Sequence, residues 1–251
     1  MLALPIRKYV LRKGVNHFVA VSKDLQSLIE EKLEVPREKV STIYNPIVAE
    51  EMFESAMAVP PEYNEFSNSI KVVSVARLSI GKDFLTLLRA FFLFREKYNS
   101  AKLFIVGEGP DREQIIKWIN ELKLGDSVLL LGARINPYPY IKYADIFAFT
   151  SFREGLGRTI VEAMALGCPV VATDCPTGPR ELIGDNENGI LVPMRDPTAM
   201  AEGMMRILED EELRNRIIEN GKRKAEEFRI STSVQKREEL FRKLLRRGKS
   251  G

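Results

Sequence analysis

The sequence contains little of several residue types that mark common classes of protein. Among its 251 residues are one histidine, one tryptophan and two cysteines, Cys168 and Cys175. Two cysteines do not make a disulfide framework, so we expect a reducing, cytoplasmic location. No apolar run approaches the roughly 18 residues of a membrane-spanning helix, and residues 1–14 lack the cleavage site of a signal peptide. The net charge of +3 is too small to indicate a nucleic-acid partner.

From residue 70 onward, strand-like and helix-like segments alternate regularly. Short apolar runs lie at 71–76, 102–107, 127–132, 145–150, 169–173 and 189–193. Such runs are typical of parallel strands that helices cover on both faces. The segment between the first two runs places five apolar residues on one helical face, namely Phe84, Leu87, Leu88, Phe91 and Phe94. The alternation predicts an α/β fold with a doubly wound, Rossmann-like parallel sheet at 70–229.

The rest of the chain is less regular. Residues 1–48 indicate a partial domain of the same type, with a strand near 17–22, a helix over 24–33 and a strand near 40–46. Two strands with their helices cannot bury a sheet on both faces, so this piece is expected to need a partner. Residues 49–69 contain prolines and no period, which predicts a linker. Residues 230–251 predict a basic helix and tail.

Charged residues and glycines gather directly after the predicted strands, where open α/β sheets bind their ligands. Arg77 and Lys82 follow the first strand, and the segment "SFREGLGR" follows the fourth. Lys82 is expected to open a helix, and Arg158 to lie in the first turn of a helix over 158–167. Both positions are unfavourable for a cation because of the helix dipole. Local preferences that are broken at one edge of a sheet indicate a functional site.

A bound polyanion would reconcile these features. The backbone amides at the start of the 158–167 helix would form a phosphate seat, with Gly155 and Gly157 giving clearance. Arg77 and Lys82 would supply positive charge. Glu162, one turn into the helix, is placed to accept hydroxyl hydrogen bonds from a ribose, and Glu154 on the loop could do the same for a sugar. The pattern predicts binding of a nucleoside diphosphate that carries a sugar.

Four stretches give the sequence a family resemblance: "VARLSIGKD", "IVGEGPDRE", "YADIFAFTSFREGLGRTIVEAMALGCPVVATDCPTGPRELI" and "NGILVP". With these, residues 70–228 resemble the donor-binding domain of a retaining glycosyltransferase of family four, which has the two-domain GT-B fold. The resemblance implies that Arg77 and Lys82 bind the donor diphosphate, that Glu154 faces the transferred sugar and that Glu162 holds the ribose hydroxyls. Arg77, Lys82 and Glu154 would be the catalytic residues.

The resemblance also implies three further sets of donor contacts. The loop that contacts the sugar would be Gly155, Leu156 and Gly157. The amides at the distal phosphate would be those of Arg158 and Thr159. The residues near the base would be Gly107, Glu108 and the 133–135 segment with Arg134.

The implied activity is transfer of a sugar from a nucleoside diphosphate sugar to a hydroxyl of a glycan or lipid-linked acceptor, with retained anomeric configuration. The chain lacks an Asp-x-Asp motif, so we expect a hexosyltransferase-type reaction without metal or cofactor. The leaving diphosphate would then be stabilised by Arg77, Lys82 and the helix amides.

The family's amino-terminal domain, which carries the acceptor site, is nearly absent from the sequence. His17 matches the last part of that domain rather than its catalytic histidine, and we expect a structural role for it. The chain is therefore expected to be inactive alone and to need a complementary amino-terminal-domain subunit or a longer parent. The alternative is a non-catalytic nucleotide-sugar binding subunit or regulatory module.

The basic ends of the chain allow two interpretations. Lys and Arg in residues 5–13 and 236–249 are compatible with solvated helix faces. They are also compatible with anionic lipid at the inner face of a membrane, which would suit a lipid-linked acceptor.

Overall fold

The computed structural model describes residues 14–248 of the chain. The chain divides into two compact units. The larger unit is Ile47–Glu226, and the smaller unit is formed by the residues before and after it.

The amino-terminal part of the smaller unit is a short βαβ segment. Strand β1 (Phe18–Ala20), helix α1 (Lys23–Leu33) and strand β2 (Val40–Thr42) follow one another, with a 3-10 turn at Arg37–Lys39. The two strands pair in parallel. Helix α1 begins at Lys23 because the Ser22 hydroxyl accepts a hydrogen bond from the Leu25 amide at 3.1 Å.

A six-stranded parallel sheet forms the centre of the larger unit. Its strands are β3 (Lys71–Val75), β4 (Lys102–Val106), β5 (Val128–Gly132), β6 (Ile146–Phe149), β7 (Val170–Thr173) and β8 (Ile190–Val192). The order across the sheet is β5-β4-β3-β6-β7-β8, and every pair is parallel. The predicted doubly wound α/β fold is confirmed. The chain proceeds outward from β3 in one direction and from β6 in the other, so the topological switch point lies between β3 and β6.

Helices connect these strands and cover both faces of the sheet. In chain order they are α2 (Glu50–Ser55), α3 (Pro61–Glu65), α4 (Phe84–Lys97), α5 (Arg112–Glu121), α6 (Tyr138–Lys142), α7 (Arg158–Leu166), α8 (Pro179–Leu182), α9 (Pro197–Glu209) and α10 (Glu211–Ala225). Two aspartates set the starts of α9 and α10. The Asp196 and Asp210 side chains each accept a hydrogen bond, at 2.9 Å, from the amide three residues on.

The core lies between the sheet and helices α4 and α9. The predicted apolar stripe of α4 is buried in it, together with Leu103, Ile105 and Met204. On the opposite face, Phe104 and Phe147 are fully buried as well. Because both faces are covered, the strands carry the continuous apolar runs that the sequence displays.

Residues 49–69 differ from the predicted linker. They contain α2 and α3, and both helices belong to the larger unit. The Tyr63 ring is buried with its centroid 4.5 Å from that of Phe104, and its hydroxyl donates to the Tyr140 carbonyl at 2.7 Å. The larger unit therefore begins at Ile47 rather than at residue 70. The segment has no helical period because two short helices do not sustain one, and the second begins at Pro61, directly after Pro60.

The carboxyl-terminal part of the smaller unit begins after the boundary at Glu226, where a 3-10 turn spans Glu226–Phe228. Helix α11 follows at Ile230–Gly248. Ser233 of this helix is buried and its hydroxyl donates to the Tyr44 carbonyl, while the Tyr44 and Phe228 rings lie 4.6 Å apart. Among the described helices, none is both long and apolar enough to cross a membrane.

Candidate functional site

The loops after β3 and β6 meet at the switch point of the sheet. The Phe152 amide donates to the Gly81 carbonyl at 3.1 Å, and the Thr150 hydroxyl donates to the Lys82 carbonyl at 2.8 Å. These bonds tie two loops that are far apart in the chain. In open α/β sheets the crevice at such a point is where ligands bind.

Lys82 and Glu154 form an ion pair across this junction. Lys82 Nζ contacts Glu154 Oε1, and it also lies 5.8 Å from the centre of the Phe149 ring. Only 23% of the lysine side chain and 13% of the glutamate side chain are exposed. The structure thus brings together the residue predicted for the diphosphate and the residue predicted for the sugar.

The position of Lys82 differs from the sequence prediction in one respect. Lys82 ends a 3-10 turn, Ile80–Lys82, and does not open a helix. Helix α4 begins at Phe84, because the Asp83 carboxylate caps it by accepting from the Thr86 amide at 3.3 Å and the Thr86 hydroxyl at 2.8 Å. The Lys82 ammonium is therefore directed by the turn and by Glu154, and the residue lies directly before the N-cap of α4.

Arg77 lies on the same loop as Lys82 but is not held in the same way. Its side chain is exposed, and within residues 14–248 it forms no ion pair. An exposed guanidinium beside a switch-point crevice is available to an anionic ligand.

The segment at 155–159 supplies a helix start with bare amides. Gly157 has a φ of 91°, a left-handed conformation that favours glycine, and it precedes α7 without a side-chain cap. Among the described residues, no acceptor takes the Arg158 and Thr159 amides. Gly155 is exposed, with open space where a side chain would begin, whereas Leu156 is buried. Two free amides at a helix start suit an anion.

A neighbouring loop, to which the sequence analysis assigned no ligand contact, supports this segment. The Thr177 hydroxyl donates to the Glu154 carbonyl. A Cβ on Gly178, whose φ is 89°, would lie 2.6 Å from the Leu156 carbonyl oxygen. Cys175 lies on the same loop, buried, with its thiol directed to the Thr177 carbonyl at 3.0 Å. Its sequence, "DCPTGPRE", is a glycine-bearing loop after a strand, and its contacts with Glu154 and Leu156 were not predicted.

Glu162 lies on the first turns of α7 and pairs with Arg158. Arg158 Nε donates to Glu162 Oε1 at 2.8 Å, and 65% of the arginine side chain but only 6% of the glutamate side chain is exposed. Burial raises the pKa of Glu162, and the Arg158 guanidinium opposes that rise. The Glu162 hydrogen bond raises the pKa of Arg158.

The loop after β4 is joined to the loop after β3 through backbone contacts. The Leu78 amide donates to the Glu108 carbonyl at 3.0 Å. A Cβ on Gly107 would lie 1.9 Å from the Ala76 carbonyl oxygen, so this position requires glycine. The Glu108 carboxylate is half exposed and lies 3.5 Å from Arg112. Gly107 therefore has a packing role, and its predicted donor contact and that of Glu108 stay predictions.

Arg134 is committed to contacts that the sequence did not predict. Its guanidinium pairs with Glu62 at 2.9 Å, donates to the Tyr140 hydroxyl at 3.2 Å and lies 5.9 Å from the centre of that ring. The Tyr140 hydroxyl donates in turn to Glu62 at 3.0 Å. Glu62 belongs to the segment predicted as a linker, so this network could not be anticipated. The proximity of Arg134 to a base stays a prediction.

His17, for which we predicted a structural role, lies in the smaller unit. Its Nε2 atom is 2.8 Å from the Ser41 hydroxyl, next to the paired strands β1 and β2.

Comparison with known proteins shows the family of the chain. The family model described as glycosyl transferases group 1 matches residues 58–224. The chain is 34% identical over 205 residues to N-acetylgalactosamine-N,N'-diacetylbacillosaminyl-diphospho-undecaprenol 4-alpha-N-acetylgalactosaminyltransferase of Campylobacter jejuni, covering 82% of this chain and 54% of that protein. It is 28% identical to N-acetyl-alpha-D-glucosaminyl L-malate synthase of Bacillus anthracis, covering 98% of this chain and 65% of that protein.

Among solved structures, HepE of Anabaena in complex with UDP has a TM-score of 0.83 at 23% identity, covering 96% of this chain and 67% of that one. TarM of Staphylococcus aureus, as a single-site mutant in complex with UDP and other ligands, has a TM-score of 0.77 at 25% identity, covering 94% of this chain and 46% of that one. These neighbours are GT-B glycosyltransferases. The chain spans less than two thirds of the length of the two curated relatives. The chain belongs to the group 1 family of glycosyl transferases.

Proposed function

We propose that this chain is the donor-binding half of a retaining glycosyltransferase of family four, which transfers a sugar from a nucleoside diphosphate sugar to an acceptor hydroxyl. The observation that carries the proposal is the ion pair of Lys82 and Glu154 at the switch point. A cation and the bare amides at the start of α7 suit the diphosphate of such a donor, Glu154 suits its sugar and Glu162 suits its ribose.

In the proposed reaction the bond between the anomeric carbon and the diphosphate breaks, and a glycosidic bond to the acceptor oxygen forms on the same face. The acceptor proton passes to the departing diphosphate, and the nucleoside diphosphate leaves. Lys82, Arg77 and the Arg158 and Thr159 amides stabilise the negative charge that grows on the diphosphate. Because Glu154 already holds Lys82 at the junction of the two loops, little reorganisation is needed when the donor arrives. Glu154 Oε2 then faces the sugar. The step as proposed requires no metal ion or cofactor.

The relatives suggest which ligands to test first. HepE and TarM were each solved with UDP, so UDP is the first nucleotide to test here. The Campylobacter jejuni relative is named for a diphospho-undecaprenol substrate, which supports a lipid-linked glycan as the acceptor class. Helix α11 contributes four lysines and arginines between Lys236 and Lys243, a charge that suits the anionic surface of a membrane at its inner face.

We also propose that turnover needs an acceptor domain from another polypeptide or from a longer form of the chain. In the described part of the smaller unit the sheet has two strands, and Val19 on β1 and Leu28 on α1 are exposed. Parallel sheets are normally covered on both faces, so further structure is expected there. The second candidate function, a nucleotide-sugar binding module without catalysis, follows from the same incompleteness.

The test is a titration of the chain with UDP, GDP and ADP, followed by an assay of UDP-sugar hydrolysis and transfer. We expect at least one diphosphate to bind, and we expect transfer only after the amino-terminal half of a relative, such as the Campylobacter jejuni enzyme, is added or fused. Binding without turnover in every such combination would favour the module. Absence of binding to every nucleoside diphosphate would contradict both functions.

A further inference from the structure

Arg158 occupies a position that helix energetics disfavour. A cation in the first turn of a helix lies near the positive end of the dipole. An arginine that precedes its glutamate by four positions is also the weaker order for a helical ion pair. Helix α7 has no acidic residue in its first turn and no side-chain cap to offset the charge. Helix stability therefore does not account for Arg158.

The two members of the pair depend on each other unequally. The guanidinium of Arg158 is largely hydrated, whereas the carboxylate of Glu162 is almost fully buried. A buried carboxylate that loses its partner keeps an uncompensated charge, which is costly. A hydrated guanidinium that loses its partner is compensated by water. Loss of the pair therefore costs more free energy at the Glu162 carboxylate than at the Arg158 guanidinium.

The geometry of the bond leaves one carboxylate oxygen for a ligand. Arg158 Nε engages Oε1. Within the described residues Oε2 forms no hydrogen bond, and it is nevertheless not one of the fully buried atoms without a partner, so part of its surface is accessible. A charged acceptor at this place forms stronger hydrogen bonds to hydroxyls than a neutral one would.

We propose that Arg158 is a positioning residue, which orients Glu162 and keeps its carboxylate charged so that Oε2 accepts a hydrogen bond from a ribose hydroxyl of the donor. This inference rests on the proposed function, because the ligand is the donor nucleotide. Arg158 acts through Glu162 and need not contact the reacting atoms.

Ionisable groups lie on three of the elements that pack against α7. From α6, Tyr138 interacts with the Arg158 guanidinium. From α8, Arg180 pairs with Asp174 at 2.8 Å, and Glu181 lies on the same helix. From α10, the Lys222 side chain lies against Gly167 at the far end of α7. Strands β6 and β7 carry no ionisable side chain. Arg158 is the cation that opposes the rise in the pKa of Glu162.

Loss of Arg158 should consequently shift the pH dependence of binding. Without the guanidinium, burial raises the pKa of Glu162 further. Protonated Glu162 is a weaker acceptor. As the pH falls, the tighter binding of a nucleotide with ribose hydroxyls over one without them should therefore be lost at a higher pH in the variant than in the unchanged protein.

The experiment compares the binding of UDP and of 2′,3′-dideoxy-UDP by calorimetry from about pH 5 to about pH 8. In the unchanged protein we expect UDP to bind about tenfold tighter. In Arg158→Ala the preference should fall to about two- or threefold at neutral pH, and its midpoint should move to higher pH. Arg158→Lys should restore part of both. Arg89→Ala, which removes an exposed arginine of α4, should match the unchanged protein.

The outcomes separate this inference from the proposed function. Absence of UDP and other nucleoside diphosphate binding in the unchanged protein would contradict the proposed function. A second outcome would overturn the positioning role alone. In it UDP binds, Glu162→Gln removes the preference for ribose, and Arg158→Ala leaves the size and the pH midpoint of that preference unchanged. If Arg158→Ala does not fold, Arg158→Gln and Arg158→Lys are compared instead, and an equal pH midpoint in both would likewise overturn it.

Discussion

Two ion pairs lie at the carboxyl edge of the sheet, and they are built differently. Lys82 and Glu154 are 72 positions apart and join the loops after β3 and β6. Arg158 and Glu162 are four positions apart on one helix. Both members of the loop-borne pair are mostly buried, whereas the helix-borne pair combines a hydrated cation with a buried anion.

The difference indicates two kinds of constraint. The loop-borne pair exists only when the sheet order has brought β3 beside β6, so it depends on the tertiary fold. The helix-borne pair needs no more than one formed turn of α7. We therefore expect changes to the first pair to affect catalysis and loop structure together, and changes to the second to act on ligand affinity and pH dependence.

The largest effect is expected for Lys82→Ala. Removing a preorganised donor to a developing anion typically costs roughly 10²–10³ in rate, and we expect that loss in sugar transfer by the completed enzyme, with the fold intact. Single-turnover kinetics would measure it. Because the change also leaves Glu154 without its partner, Lys82→Ala combined with Glu154→Gln is the control. A rate close to that of the unchanged protein in Lys82→Ala would remove Lys82 from the mechanism and make the loop-borne pair purely structural.

An intermediate effect is expected for Gly178→Ala, which disturbs the loop-borne pair without touching the helix-borne one. The added Cβ would lie 2.6 Å from the Leu156 carbonyl oxygen in a left-handed conformation. Strain of this kind costs about 1–3 kcal/mol. Urea unfolding should show that loss, together with weaker UDP binding. Gly125→Ala is the matched control, since open space surrounds that glycine, and it should change stability by no more than about 0.5 kcal/mol. Equal stability of the two variants would contradict the close packing described here.

The smallest effect is expected for Glu162→Gln, and it has opposite signs for stability and binding. Burial raises the pKa of folded Glu162 above its unfolded value of about 4.3. The stability that this shift contributes is fully present below about pH 4 and is lost as the pH rises through the folded pKa. Denaturant unfolding of the unchanged protein relative to Glu162→Gln should show that trend. UDP affinity at neutral pH should fall about fivefold in the variant, because a charged acceptor is replaced by a neutral one. A stability difference that is flat with pH would contradict the raised pKa.

The positions of the strands could be predicted almost to the residue. The runs at 71–76 and 102–107 became Lys71–Val75 and Lys102–Val106, because a fully buried strand is continuously apolar and is bounded by residues that break it. The Arg158–Glu162 pair could also be read from spacing alone, since residues four apart share a helix face.

Other features depended on information that local sequence does not contain. Nothing in the spacing of Lys82 and Glu154 indicates contact, because their distance follows from the order of strands in the sheet. Tyr63 and Glu62 could not be recognised either, since the five-residue helix that carries them is too short to display a period. The network that engages Arg134 depends on that helix. The prediction that Arg134 lies near the base was therefore made without Glu62 and Tyr140, its partners in the structure.

The buried thiol of Cys175 gives the molecule an internal reporter. Its loop supports Glu154 through Thr177, and burial raises its pKa to about 11. A thiol-reactive dye should therefore label it only while the 174–178 segment is open. Cys168, buried against the Ala144 carbonyl at 3.6 Å, would report larger openings. The rate of labelling at Cys175, with and without nucleotide, would thus measure local opening of the donor site without any engineered probe.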